Sequence, residues 1–160
     1  MQNEIIEAIK SGLKGKFIHS DPLIIIKGLT PEIARKKPNN FDHSCWDLLY
    51  HTVIWDEIFL RNIKGEIVNW SPENNFPDEK EKEIDQNFYE LVIKFESDLQ
   101  EIRDLLEYND IDFSINRKLT PDRDFELSII KLYITTLQHI SYHMGQIACV
   151  RKMVDNWPMT

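Results

Sequence analysis

The chain has 160 residues, 42% hydrophobic and 29% charged, with a formal net charge of −8. That length suits one core built from about four helices, and five glycines with seven prolines are too few turn residues for a barrel or sandwich of many short strands. Twenty-seven acids against 19 bases argue against nucleic acid, whose phosphates require clustered Lys and Arg.

The N-terminus, Met1-Gln2-Asn3-Glu4, is acidic where an export signal is basic. The clearest apolar run, Leu23-Ile24-Ile25-Ile26, stops at Lys27, far below the roughly 20 residues that span a bilayer. A cytoplasmic protein is therefore expected, without a membrane partner and with Cys45 and Cys149 reduced.

Along the chain, a first helix is expected over Asn3–Leu13 with Gly15 as its stop. Asp21-Pro22 opens a short apolar segment, and Thr30-Pro31 reads as a cap followed by a proline at the first helical position of a short helix that Pro38 ends. Asp42 or Ser44 caps the next long helix, which runs to about Lys64. Residues 65–79 carry Pro72, Asn74-Asn75 and Pro77 and read as an exposed connection, long enough for neighbouring helices to cross over the bundle. A third long helix is expected from Asp78 to Tyr108, with an apolar face of Phe88, Leu91, Val92, Phe95, Leu99, Ile102 and Leu106. Asn109–Asp124 is polar and could hold a short extended pair. A fourth helix, Phe125–Asn156, completes a four-helix bundle over residues 1–160.

His139 and His143 stand at i and i+4, which places both imidazoles on one helical face close enough to share one metal ion. Their stripe holds Leu132, Thr136, Gln146 and Val150, so it faces the bundle or its rim. An isolated HxxxH is weak evidence, since ordinary core histidines produce it too. His51 shares a stripe with Leu48, Trp55, Ile58 and Phe59 and also faces inward. Three inward histidines are hard to satisfy separately, whereas one divalent ion satisfies all three nitrogens and keeps an open coordination position. Ile140 stands where a zincin needs Glu, and Leu48, Thr136 and Ile140 stand where a di-iron bundle needs Glu. A mononuclear three-histidine site survives these exclusions. His19 and His43 fit neither stripe and read as surface or capping residues. Cys45 and Cys149 have no strong claim as nucleophiles.

Gly28-Leu29-Thr30-Pro31-Glu32 with Pro38, then Trp46-Asp47-Leu48-Leu49-Tyr50-His51 with Trp55, then His139 to Ile147 with Arg151 and Trp157-Pro158, resemble the DinB/YfiT superfamily. The resemblance runs through nearly the whole chain in order. It implies an all-α, up-up-down-down four-helix bundle with a long crossover, frequently a homodimer, with one divalent metal, zinc or nickel, on His51, His139 and His143. It further implies a transferase that joins a low-molecular-weight thiol such as bacillithiol, mycothiol or glutathione to a small electrophile. Hydrolysis by metal-bound water and a non-catalytic stress-response module are the alternatives. Tyr142 departs from relatives that carry a further histidine there.

Around the ligands, Gln146 could orient a bound water or substrate, or merely pack. Arg151 could hold a substrate carboxylate, or merely favour the helix dipole. Asp47 could accept the free N–H of His51, or simply be solvated at the helix start. Gly145 costs about 1 kcal/mol inside a helix and suggests close helix or dimer packing. Trp46 and Trp55 read as core.

Overall fold

The computed structural model describes residues 2–16, 19–107, 112–121 and 126–157. Among these the architecture is helical, with one two-stranded antiparallel ribbon. Helix α1 is Gln2–Leu13, and Gly15 ends it as expected, with φ +68° and its amide donating to Gly12 O at 2.8 Å. Two short helices follow, α2 (Pro22–Ile26) capped by Asp21 and α3 (Pro31–Ala34) capped by Thr30, each with proline in its first turn. Helix α4 is Cys45–Ile63. Of its two candidate caps Ser44 is the one used, in a reciprocal capping box with Asp47.

The long helix expected from Asp78 is broken into α5 (Glu79–Glu83) and α6 (Asp85–Leu105), and Tyr108 lies outside the described residues. The break at Ile84 has an identifiable cause. A continuous helix would give Lys82 O to the amide of Gln86 and Glu81 O to that of Asp85. Instead the Arg35 side chain donates to Lys82 O and the Asn87 amide side chain donates to Glu81 O. Arg35 also pairs with Asp85, so α3 fixes the break from outside.

Strands β1 (Asn116–Lys118) and β2 (Glu126–Ser128) pair with Arg117 opposite Leu127. This is the extended pair anticipated within the polar stretch, with its second strand displaced beyond Asp124. Pairing through Ser128 delays the last helix, α7, to Ile129–Met153. The expected start at Phe125 lies outside the described residues, as does Pro158. At the other end Asp155, with φ +55°, turns the chain short of the expected Asn156.

Helix α4 packs on α6 and α7, and α1 packs on the same two. Trp46, Phe88, Phe95, Leu99, Leu132 and Ile140 form the centre of the core, and the apolar face expected for α6 is the face it buries. Among the described residues no helix is long and apolar enough to cross a membrane.

Gly145 lies exposed on α7 with nothing within 4 Å of the position its Cβ would take, so the anticipated helix contact is not made within the chain. Gly145→Ala is therefore expected to raise stability by about 1 kcal/mol, measured by denaturant unfolding. A loss instead would place another molecule against this face. Gly12 packs closely on α7, where a Cβ would meet Leu137 Cδ2 at 2.7 Å.

Candidate metal centre

The core seams of α4 and α7 bring His51, His139 and His143 together, with one ring nitrogen of each within 4.8 Å of the others. The nearest pair, His51 Nε2 and His139 Nε2, stands 3.2 Å apart. The opposite ring nitrogens decide the tautomers. His51 Nδ1 is 3.4 Å from Asn75 O, which can only accept. His143 Nδ1 is 2.7 Å from Gln146 Oε1, and the Gln146 amide is oriented by its own N–H donating to Tyr142 OH. His139 Nδ1 points back at Asp56, 4.0 Å from a carboxylate oxygen. His51 and His143 thus each carry the Nδ1 proton toward an acceptor and leave Nε2 with a lone pair, while His139 Nδ1 has no hydrogen-bond partner among the described residues.

That arrangement fits a cation. Two imidazole nitrogens facing each other at 3.2 Å, with a nitrogen of His143 beside them, are close enough for one divalent ion to engage all three rings. Ionisation state agrees. Burial pushes both the His139 and His143 rings down to about 4, and the neighbouring imidazoles add to the effect at His143. Burial and then the His139 ring hold His51 below its ordinary value. All three are neutral at pH 7, the form that binds metal.

The depressed values also set a pH dependence. Unfolded histidine titrates near 6.5 and folded His139 and His143 near 4, so below 6.5 the unfolded chain binds more protons. Their stabilisation is complete above pH 6.5 and is lost as pH falls toward 4. Between pH 7 and pH 5 the metal-free protein is expected to lose on the order of 1–2 kcal/mol for each ring. Urea unfolding at the two pH values measures this, and a His139→Gln/His143→Gln variant should flatten the profile. An unchanged profile in that variant would contradict the assignment.

Aromatic groups cover the histidines on one side. Phe76 stacks on His51 at 5.3 Å between centroids and on His43 at 4.3 Å. Trp55 lies 6.4 Å from His51 and donates from Nε1 to Asn75 Oδ1 at 3.0 Å. So Trp55 is more than core filling, and His43 borders the site through Phe76. Tyr142, largely exposed, sets its ring edge-on to His143 at 4.9 Å. His19 is half-buried and joined to Ser141 Oγ at 3.0 Å, outside the histidine cluster.

Other residues singled out in the sequence fall elsewhere. Asp47 does not reach the free N–H of His51. Its carboxylate is turned to the helix start by Ser44 and bound by Lys82 Nζ at 2.9 Å, a buried ion pair rather than a solvated one. Arg151 is 2% exposed and donates to Ile25 O, Lys27 O and Asn156, so its guanidinium is spent on backbone rather than turned to the histidines. Gln146 stands at the site, but its oxygen is held by the His143 ring. Cys45 is buried and its thiol is pushed up to about 12, and Cys149 is exposed. A cavity of about 330 Å³ lined by Trp46, Tyr50, Glu81 and Lys94 includes none of the three histidines.

Three participants escape sequence reasoning. Asn75 and Phe76 sit in a stretch whose composition says only that it is a connection. Asp56 reads as surface beside Glu57, yet Leu49, Val53, Asp56, Leu60 and Ile63 repeat at four and three residues, which marks position 56 as core.

A helical protein in which α4 and α7 converge on three neutral imidazoles carries a candidate three-histidine metal site. Residues 21–147 match the DinB superfamily, and the chain belongs to it. No curated protein and no solved structure gives a significant match.

Proposed function

We propose that this protein is a metal-dependent S-transferase, with zinc or nickel held by His51, His139 and His143 and a low-molecular-weight thiol joined to a small electrophile. The observation that carries the reading is the convergence of three ring nitrogens, one each from His51, His139 and His143, within 4.8 Å of one another. A divalent ion bound there supplies Lewis acidity that keeps a coordinated thiol deprotonated at neutral pH. The chain offers no competent thiolate of its own at this place, because Cys45 is buried with a raised pKa and its Sγ donates toward Ile147 O. The nucleophile therefore comes from a co-substrate. Its sulfur bonds to the electrophilic carbon, the displaced group leaves with the electron pair of the broken bond, and the thiol proton passes to solvent.

Phe76, Trp55 and His43 wall one side of the centre and limit water there, which favours sulfur over hydroxide as the attacking atom. Around this chemistry we place an up-up-down-down bundle acting as a cytoplasmic homodimer. Elemental analysis of the purified chain, followed by a panel of thiols with a model electrophile, tests the reading. Conjugation that requires both metal and thiol is the expected result. Ester or amide turnover without any thiol would replace it with hydrolysis, and metal binding without either reaction would leave a binding module.

A further inference from the structure

Asp56 is fully buried on α4, and neither of its carboxylate oxygens has a hydrogen-bond partner among the described residues. A carboxylate in a core seam costs several kcal/mol unless something nearby compensates it. Lys94 does not do so, because its ammonium is committed to both oxygens of Asp98 at 2.6 and 2.7 Å. Thr52, one turn earlier, donates to Leu48 O instead. The complementary orphan is His139 Nδ1, also buried without a partner and 4.0 Å from Asp56 Oδ1. That separation is about 1 Å longer than a formed N–H···O bond. A small rotation of the carboxylate or the ring closes it.

We infer that Asp56 is the positioning residue of the metal centre, accepting the Nδ1 proton of His139 so that Nε2 is presented, correctly oriented, to the cation. The inference rests on the metal-site reading and deepens it. His51 and His143 are oriented by neutral acceptors, Asn75 O and Gln146 Oε1, and His139 alone is backed by a carboxylate. A carboxylate makes the ring a stronger donor to a metal, and such partners typically contribute 10–100-fold to affinity. Asp56 also reaches the site from α4 while His139 stands on α7, so the contact ties the two helices behind the ligands as the metal ties them in front.

The test is zinc titration of the full chain after chelator treatment, on wild type, Asp56→Asn, Asp56→Leu and His139→Ala. Both Asp56 variants are expected to bind zinc about 10–100-fold more weakly while unfolding at or above the wild-type temperature when metal-free, since a buried carboxyl group without a hydrogen-bond partner has been removed. A merely structural carboxylate would show the reverse, lower stability with unchanged affinity. Nitrogen-15 spectra of zinc-loaded wild type supply a second readout that needs no variant to fold. They should show His139 protonated at Nδ1, and a proton at Nε2 overturns the inference. Affinity within twofold of wild type in Asp56→Asn also overturns it, while leaving the metal site standing. Zinc binding absent from wild type, or unchanged in His139→Ala, removes the metal reading itself and this inference with it.

Discussion

His139→Ala is expected to abolish stoichiometric divalent-metal binding, with zinc affinity falling by more than the 10–100-fold that follows loss of a mere supporting partner. His51→Ala should do the same, although the two residues are 88 positions apart in sequence and share only the facing nitrogens at 3.2 Å. Because the ligands come from α4 and α7, a bound ion bridges the two helices, and its binding energy adds to the stability of their packing. With metal at 1,000 times its dissociation constant, that linkage amounts to about 4 kcal/mol. Wild type should therefore show a metal-dependent rise in melting temperature that both variants lack. His19→Ala is the matching control, since His19 bonds Ser141 and lies outside the cluster. An equal loss in the control, or a preserved thermal rise in His139→Ala, would dismantle the three-histidine assignment.

The three histidines were legible because each lies on a helix whose apolar period is plain, and period fixes the face without knowledge of the partner. His139 and His143 announce each other at i and i+4. His51 is found by its stripe alone. What surrounds them was less legible, for reasons that differ by residue. Asp56 occupies a core position in the same period that located His51, but an Asp-Glu pair reads as solvent until burial is known. Asn75 and Phe76 reach the site through a connection with no period, so their contacts with His51 depend wholly on tertiary placement. The break at Ile84 is likewise set from a distance, by the Arg35 side chain on Lys82 O, and a helix pattern crosses it undisturbed. Asp47 misled for a local reason. Capping and orienting a histidine both suit an acid in the first turn, and the capping box won because Ser44 and Lys82 hold the carboxylate on that side.

Arg151 carries a second large stability prediction, because its contacts lie away from the histidines. An arginine near a helix C-terminus suggests a dipole contact or an anion site, yet this one is buried at 2% exposure. Its Nη1 donates to Ile25 O and to Lys27 O at 3.0 Å, and Nη2 donates to Asn156 Oδ1 at 2.9 Å. The guanidinium thus satisfies carbonyls at the end of α2 and joins them to the last turn of α7, with Trp157 over its face at 5.8 Å. Removing it leaves the buried Ile25 carbonyl and the part-buried Lys27 carbonyl without this donor, at roughly 1–3 kcal/mol each. Arg151→Met is accordingly expected to cost about 3 kcal/mol or more, lowering the melting temperature by roughly 6–12 °C for a chain of this size. Arg151→Lys should recover little, because an ammonium cannot reproduce the planar fork that serves three acceptors. Zinc affinity and the thiol dependence of any conjugation should stay within about twofold of wild type in whichever variant folds, since no Arg151 contact reaches the histidines. A variant with unchanged melting temperature and weakened thiol binding would instead return Arg151 to the substrate, and would require the α2 carbonyls to be satisfied by other donors.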